Sequence, residues 1–181
     1  VGKTTTALCL AAAFQLMNKK TLLVDLDAQG NASAAAGLII EQESPTLKEM
    51  LTGKAPPLDL IVSADFTDIL PSNNSLKDIE KNLIEKKLYN RLKEGLAPVE
   101  KNYDLILFDC PPSFNAFTKN GLTAADEYIV PVDVGYFAIL GLKQLLEEVE
   151  QIKRELNPAL KLTGVLASKF DKRTTLSSQM L

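Results

Sequence analysis

The sequence predicts an α/β fold, in which a doubly wound, mostly parallel sheet is flanked by helices. Two short apolar runs that end in carboxylates, "TLLVDLD" at 21–27 and "YDLILFDCPPS" at 103–113, are typical of strands buried on both faces of such a sheet. Longer segments with apolar residues at helical spacing lie between the candidate strands. Because strands and helices alternate along the chain, we expect a parallel sheet with helical crossovers.

The helices are predicted from apolar residues that recur every three or four positions. Thr46 with Glu49 and Ser75 with Asp78 have the spacing of capping boxes, so a helix is expected to begin at each pair. The predicted helices are 4–17, a short one that ends near Gly53, a long one with an apolar stripe from Leu76 to Leu96, one after Pro111 and Pro112, and one with a stripe from Ile139 to Leu156. We interpret these stripes as core that packs on the sheet rather than as a coiled-coil surface.

The other strands are predicted from shorter apolar runs, at 58–63, 66–72, 127–132 and 160–170. Residues 28–37 are rich in small side chains and are expected to form a loop. The alternation does not require a division into two domains at 53–60. We therefore expect a single domain over residues 1–181, incomplete at both ends.

The composition is that of a globular protein and excludes several kinds of chemistry. Hydrophobic residues make up 46% and charged residues 24% of the chain, and the net charge of −3 argues against a surface that is basic throughout. Histidine is absent, which rules out imidazole acid–base chemistry and histidine-ligated metals. Cys9 and Cys110 are far apart and are expected to be small buried residues in a reducing compartment. No apolar run is long enough to cross a bilayer, so we expect a cytoplasmic protein.

The chain begins with "VGKTTT", which matches the end of the phosphate-binding P-loop pattern G-x-x-x-x-G-K-[ST]. In such a loop Gly2 lets the backbone approach phosphate, Lys3 reaches the β- and γ-phosphates, and the Thr4 hydroxyl binds Mg²⁺. Thr5 could offer a further N–H or hydroxyl. The first half of the loop and the strand that feeds it are expected before Val1. By itself the tripeptide also fits an ordinary helix start with an exposed lysine.

Aspartates end the two buried strands. Asp25 and Asp27 end the first strand, and Asp109 ends the second. The carboxyl ends of parallel strands meet at one edge of the sheet, where ligands bind in α/β folds. Asp109 therefore has the position of the acidic residue that holds the Mg²⁺ shell in a P-loop ATPase. Aspartates at strand ends also cap turns, but three of them together with Lys3 favour a nucleotide site.

Five segments together resemble the ParA/Soj branch of the ParA–MinD ATPases, whose members carry a deviant Walker A motif. "VGKTTT" matches the end of the family pattern K-G-G-V-G-K-T-T, and "VDLDAQGNAS" resembles D-x-D-P-Q-G-N with Ala28 in place of the usual proline. "LILFDCPPS" resembles the Walker B strand and its prolines. "VPVDVGYFAILGLKQLL" and "FDKRTTLSSQ" are similar to the ParA segments Y-F-A-x-x-G-L and Y-D-x-R-T-x-L-S, and they favour ParA over MinD.

The resemblance implies an ATP-sandwich dimer with a P-loop NTPase fold and assigns roles to residues of this chain. Asp27 would orient the attacking water, Asp25 would support the switch segment at 29–31, and Asp109 would hold the magnesium shell. The implied catalytic residues are Lys3 and Asp27; the implied nucleotide-binding residues are Val1, Gly2, Lys3, Thr4, Thr5, Asp25, Gln29 and Ser168; the implied Mg²⁺ residues are Thr4, Asp27 and Asp109. Ser168 stands where related ATPases have an adenine-reading asparagine, so the preference for ATP over GTP rests on the family. The signature lysine that reaches across the dimer is expected before Val1.

The function implied by the resemblance is partitioning of a plasmid or chromosome. ATP-bound dimers would bind DNA without sequence preference, and a ParB-type partner would stimulate slow ATP hydrolysis at the nucleoid. The alternatives are a MinD-like ATPase that positions cargo at a membrane or protein assembly, a nucleotide-binding scaffold that does not hydrolyse ATP, and a P-loop kinase for a small molecule. No stable membrane insertion is expected in any of these cases. The residues that would bind DNA or membrane are expected beyond Leu181.

Overall fold

The computed structural model describes residues 2–133 and 136–168, and for Asp133 and residues 136–140 it describes the backbone alone. The helices are α1 (Lys3–Leu16), α2 (Asn31–Ala35), α3 (Leu47–Leu51), α4 (Lys77–Glu85), α5 (Arg91–Leu96), α6 (Ala116–Ala124) and α7 (Tyr136–Glu155). The strands are β1 (Thr21–Asp25), β2 (Val62–Ser63), β3 (Asp68–Leu70), β4 (Leu105–Asp109), β5 (Glu127–Asp133) and β6 (Lys161–Ser168). Val1 and the run 170–179 lie outside the described residues. Among the helices that are described, none is both long and apolar enough to cross a membrane.

The strands pair mostly in parallel. β1 lies between β3 and β4 and is parallel to both, while β2 pairs antiparallel with β3, which gives the order β2-β3-β1-β4. β5 and β6 form a second, parallel pair with an irregularity between Tyr128 and Ile129. In the register of β1 and β4, Asp25 stands opposite Asp109. The predicted strand ends therefore do meet at one edge of the sheet.

Helices cover both faces of β1, as a doubly wound fold requires. Leu22 and Val24 pack into a core cluster with α3, α4, α5 and α6, and Leu23 packs into a second cluster with α1 and α2. All five residues of β1 are buried. The alternation of side chains along a strand places successive residues on opposite faces, so a continuous apolar run fits a strand covered on both sides. The predicted α/β class is confirmed.

β4 was expected to be buried on both faces, and this expectation is wrong for four of its residues. Leu105, Ile106, Leu107 and Phe108 are half-buried, and Asp109 alone is buried. Within the described part of the chain β4 pairs with β1 only, so it forms an edge of the four-stranded sheet. An edge strand keeps more of its side chains accessible than a central strand.

The predicted long helix from Ser75 to Leu96 is two helices, α4 and α5. Lys87 between them has a left-handed backbone with φ 52°, which ends α4. The buried Asn120 of α6 holds the break in place, since its side chain accepts from the backbone N–H of Leu92 and donates to the carbonyl of Leu88. The predicted cap also differs, because Asn73 rather than Ser75 accepts a backbone N–H at the start of the preceding 3₁₀ turn Asn74–Leu76. The Thr46–Glu49 capping box of α3 is confirmed.

The segment at 28–37 was expected to be a loop, but it contains the short helix α2. Ala32, Ala34 and Ala35 have high helix propensity, and Gly30 supplies the left-handed residue, with φ 64°, that precedes the first turn. Small side chains are frequent in loops, but here they let α2 pack closely on β1. The helix places Asn31 and Ser33 on opposite sides of the chain, a point that matters for the site below.

The burial predicted for the two cysteines is absent at Cys9 and only partial at Cys110. Cys9 is exposed, because it lies on the face of α1 that is turned away from β1. Cys110 is half-buried and packs against the larger core cluster. Burial raises the pKa of the Cys110 thiol to about 12, so this thiol stays protonated and is a poor nucleophile at neutral pH.

Candidate nucleotide site

A cavity of about 380 Å³ lies where α1 begins and where β1 and β4 end. Its lining residues come from the three segments that the sequence singles out: Gly2, Lys3, Thr4, Thr5, Asp27, Asn31, Cys110 and Pro112. We call it the first cavity. The structure thus brings together the glycine-lysine-threonine run and one of the strand-end aspartates, although they are more than twenty residues apart in the sequence.

The N-terminus of α1 forms one wall of the first cavity. Gly2 precedes the helix in a left-handed conformation with φ 74°, and no side chain caps the first turn. The carbonyl of Gly2 accepts from the backbone N–H and the hydroxyl of Thr6. The first N–H groups of a helix have no partner inside the helix, so an uncapped N-terminus that faces a cavity attracts phosphate.

Asp25 lies behind the first cavity rather than in its lining. Its fully buried carboxylate accepts from the N–H of Asp27 at 3.1 Å and from the N–H and hydroxyl of Ser33 at 2.9 and 2.8 Å. Burial raises the pKa of Asp25 to about 6, and these hydrogen bonds limit the rise. The supporting role expected for Asp25 fits this geometry, whereas direct contact with nucleotide does not.

Asp109 is a buried carboxylate whose pKa is affected by Lys3 and Thr4 at the start of α1. It is 2% exposed, and neither of its oxygens has a hydrogen-bond partner among the described residues. Burial raises the pKa of Asp109, the nearby Thr4 hydroxyl and Lys3 ammonium oppose this rise, and the Asp27 carboxylate adds to it. A buried carboxylate without hydrogen bonds is costly, so this position is suited to receive a cation or a metal-bound water.

Asp27, in contrast, faces the first cavity. Its Oδ1 accepts from the backbone N–H of Gln29 at 2.9 Å, and its backbone carbonyl accepts from Gly30 N–H, which closes a tight turn after β1. One carboxylate oxygen therefore shapes the turn. The other is free of any hydrogen bond that the structure describes and can act on a ligand in the cavity.

Two predicted nucleotide-binding residues are not part of the lining of the first cavity. Gln29 lines a second cavity, described below, and not the first. Ser168 lies beside the start of α1, where a Cβ placed on Gly2 would be 3.4 Å from the Ser168 Cβ, but its hydroxyl donates to the carbonyl of Val132. Val1 falls outside the described residues. The structure therefore groups Gly2 to Thr5 with Asp27 and Asp109, and leaves Gln29 and Ser168 at the periphery.

Three lining residues were not among the predicted contacts. Asn31 was assigned to the switch segment only, Cys110 was interpreted as core, and Pro112 was read as a strand breaker. Each follows a strand-end aspartate by one to four positions. In a parallel sheet the residues just after a strand form the loop at the ligand-binding edge, so distance from the strand end was the signal that could have identified them.

A second cavity, of about 310 Å³, lies on the other side of the turn that follows β1. Its lining residues are Ala28, Gln29, Gly30, Ser33, Ala34, Leu38, Ile40, Gln42, Ser72, Asn73 and Asn74. None of these side chains is charged. Gly30 is essential to the wall between the cavities, because a Cβ there would be 2.9 Å from the backbone oxygen of Ser72.

We expect Gly30→Ala to destabilise the fold by about 2–3 kcal/mol, since it combines a strained left-handed residue with a backbone clash. Gly37→Ala is the matched control: Gly37 also has a positive φ, of 84°, but nothing lies within 4 Å of its added Cβ. It should cost about 1 kcal/mol. Urea unfolding monitored by circular dichroism measures both. Equal losses in the two variants would show that the close contact with Ser72 is unimportant.

Comparison with known proteins places this site in a family. The AAA_31 family, described as an AAA domain, matches residues 1–162. The chromosome partitioning protein ParA of Caulobacter vibrioides is 38% identical over 186 aligned residues, which cover 99% of this chain and 69% of the relative. The chain belongs to the ParA/Soj family of P-loop ATPases. The sporulation initiation inhibitor protein Soj of Bacillus subtilis is also 38% identical, over 100% of this chain and 73% of its own length.

Solved structures agree with the ParA/Soj assignment of the fold. A cobyrinic acid a,c-diamide synthase from Mycobacterium smegmatis, with bound ATP analogue and magnesium, superposes with a TM-score of 0.94 at 35% identity. The superposition covers 98% of this chain and 74% of the synthase chain. A plasmid partition protein from Borrelia burgdorferi superposes with a TM-score of 0.84 at 27% identity, and the superposition covers 99% of this chain and 78% of the partition protein's chain. Both matches confirm the P-loop α/β fold predicted from the sequence.

Proposed function

We propose that this chain is a ParA-type partitioning ATPase that binds Mg·ATP in the first cavity. The observation that carries the proposal is Asp109: a buried carboxylate that has no hydrogen-bond partner among residues 2–133 and 136–168 and lies beside Lys3 and Thr4 at the N-terminus of α1. Phosphate groups suit the N–H groups and the ammonium, and a divalent cation suits the carboxylates. Mg·ATP combines the two kinds of charge in one ligand.

The residues present fit Mg²⁺. Thr4 offers a hydroxyl, and Asp27 and Asp109 offer carboxylate oxygens, which are hard ligands of the kind Mg²⁺ prefers. Within the described residues no three acidic or cysteine side chains converge into a metal cage. Mg²⁺ does not need one, because it usually keeps several waters and is held jointly by one or two carboxylates and substrate phosphates. When bound, the ion would neutralise charge on the phosphates.

Hydrolysis in this proposal depends mainly on positioning. Lys3 would hold the β- and γ-phosphates, and the N–H groups at the start of α1 would fix their oxygens. Asp27 would accept a hydrogen bond from the attacking water, with its orientation set by the Gln29 N–H. Asp25 would keep the turn after β1 in place through Asp27 and Ser33. With so few reacting groups, slow turnover stimulated by a ParB-type partner is expected.

The finer parts of the proposal are an ATP-dependent homodimer, binding to DNA without sequence preference, and action on a plasmid or chromosome at the nucleoid. The names of the relatives support only the last of these parts, since ParA of Caulobacter vibrioides is a chromosome partitioning protein and the Borrelia burgdorferi protein is a plasmid partition protein. The chain is not basic overall, with a net charge of −3. DNA affinity must therefore come from a local patch that dimerisation presents twice.

A second candidate is ATP-dependent amide synthesis, which the superposition on a diamide synthase favours. Such an enzyme activates a carboxylic acid substrate and transfers nitrogen to it. The two functions differ in what limits phosphate release: a partitioning ATPase releases phosphate with no acceptor present, and a synthase needs its acid. Phosphate release by the purified protein with Mg·ATP alone separates them, and a rate that depends strictly on an added acceptor would exclude the first proposal.

We expect the full-length protein with a non-hydrolysable ATP analogue to retain unrelated duplex DNA at low salt. ADP should release the DNA, because two weak patches joined in a dimer bind far more tightly than one. Binding through phosphate contacts falls steeply with salt, by about 10³-fold or more between 50 and 200 mM if six or more contacts form. Fluorescence anisotropy with two unrelated sequences measures both effects.

The control for this experiment is a parallel assay with anionic liposomes. Sedimentation with liposomes that requires ATP, without retention of DNA, would contradict DNA binding and support the MinD-like alternative. Retention of one DNA sequence and not the other would contradict the expected lack of sequence preference.

A further inference from the structure

The two cavities share one wall, the segment of residues 27–33, which we call the 27–33 loop. Asp27 and Asn31 of this loop line the first cavity, and Gln29, Gly30 and Ser33 line the second. The opposite side of the second cavity is formed in part by Ser72, Asn73 and Asn74, which follow β3. A displacement of the loop towards one cavity therefore changes the shape of the other.

The loop is fixed at both ends by one carboxylate. Asp25 accepts from the backbone N–H of Asp27 at the start of the loop and from the N–H and hydroxyl of Ser33 at its end. Asp25 is fully buried and Ser33 is 1% exposed, so water does not compete for these bonds. Hydrogen bonds to a buried charged group are among the stronger ones in proteins.

Ser33 also forms a hydrogen bond with a residue outside the 27–33 loop. Its hydroxyl, which donates to Asp25 Oδ2, also accepts from the backbone N–H of Ser72 at 3.2 Å. The same serine therefore connects the carboxylate behind the first cavity with the segment across the second. Gly30 lies close to Ser72 as well, because a Cβ added at Gly30 would be 2.9 Å from the Ser72 carbonyl oxygen. Residues 71–75, which follow β3 and include Ser72, form the 71–75 segment. This segment also contacts residues 41–42, because the side-chain amide of Asn73 donates to the carbonyls of Glu41 and Gln42.

We propose that Ser33 is a positioning residue that couples nucleotide in the first cavity to the conformation of the 71–75 segment at the second cavity. The coupling rests on the proposed nucleotide-binding function. Nucleotide contacts with Asp27 and Asn31 shift the 27–33 loop, and Ser33 passes that shift to Ser72 because its hydroxyl is bonded on both sides. The conformation at the second cavity therefore depends on whether nucleotide is bound in the first cavity, on the other side of the 27–33 loop.

The test is amide hydrogen exchange measured by NMR on the full-length protein, with and without Mg·ATP analogue. In the wild type the analogue should change the exchange rate of the Ser72 N–H by about 5-fold or more, the lower end of typical coupling between sites. In Ser33→Ala this change should fall below about twofold. Exchange at residues 3–5 should still respond to the analogue in both proteins, which reports nucleotide binding independently.

Two further variants separate coupling from a general structural effect. Ser33→Thr keeps the hydroxyl and adds a methyl group beside the second cavity, so it should restore the response of Ser72. Ser72→Ala removes a hydroxyl that has no hydrogen-bond partner among the described residues but keeps the N–H that bonds to Ser33, so its response should remain. Loss of the response in Ser72→Ala, or its persistence in Ser33→Ala, would overturn the proposal. Thermal unfolding of each variant shows whether the fold is retained.

Kinetics give a second readout. Ser33→Ala should lower kcat by about 5- to 50-fold while KM for ATP stays within about threefold, because the residue positions the loop and does not touch nucleotide. A rise in KM with unchanged kcat would contradict a positioning role. If residues 3–5 do not respond to the analogue in the wild type, the proposed nucleotide function fails, and this inference fails with it. If they respond and Ser72 does not, the coupling alone is wrong.

Discussion

Replacement of Lys3 by alanine is expected to lower the affinity for ATP about 30- to 140-fold, with little effect on folding. Lys3 is the residue of the first cavity that brings a positive side chain to the N-terminus of α1. A charge-assisted contact with phosphate contributes about 2–3 kcal/mol, which corresponds to the expected loss. Isothermal titration calorimetry with Mg·ATP measures it directly.

Lys81→Ala is the matched control for this change. Lys81 lies on α4, outside the lining of either cavity, and forms an exposed pair with Glu85 whose lysine side chain is 87% accessible. Its removal should leave nucleotide affinity unchanged, since exposed ion pairs contribute little. If Lys3→Ala bound ATP as tightly as Lys81→Ala, the first cavity would not be a P-loop site. A melting temperature close to that of the wild type shows that the loss in Lys3→Ala is not due to unfolding.

The sequence was sufficient to predict the parts of the site that depend on strand ends. Asp25 and Asp109 stand opposite each other because β1 and β4 are parallel neighbours, and both runs carry the apolar pattern of parallel strands. The start of α1 was predictable for a similar reason, because Gly2 and Lys3 match a motif in which backbone geometry is tied to residue type. The residue types at the strand ends and in the motif are local features, and the α/β class then places the strand ends at one edge of the sheet.

The features that sequence could not supply depend on contacts between distant segments. The break between α4 and α5 is stabilised by Asn120, which accepts from the N–H of Leu92, 28 positions away. The apolar spacing of residues 76–96 gives no indication of this break. The resemblance to the D-x-D-P-Q-G-N segment assigns Gln29 to nucleotide, but the left-handed Gly30 and helix α2 turn this part of the loop towards the second cavity. The bond between Ser33 and Ser72 spans 39 positions. Spacing along the chain gives no indication of such a pair.

Asp27→Asn is expected to reduce kcat for ATP hydrolysis by about 10²- to 10³-fold while leaving ATP affinity within about threefold of the wild type. A group that orients the attacking water acts in the transition state, so its loss slows the reaction more than it weakens binding. Asparagine retains an oxygen that can accept from the Gln29 N–H, so the turn after β1 should persist. Asp27→Ala, which also removes that acceptor, should be equally slow in turnover and less stable by about 1 kcal/mol.

Single-turnover phosphate release measures the chemical step for Asp27→Asn. Size-exclusion chromatography with ATP follows the proposed ATP-bound dimer, which should live longer than in the wild type. Asp65→Asn is the control, since Asp65 is exposed and lies outside both cavities. A folded Asp27→Asn protein that no longer binds Mg·ATP would show that Asp27 contributes to Mg·ATP binding in the ground state rather than to the orientation of the attacking water. Normal turnover in this variant would exclude a catalytic role for Asp27 altogether.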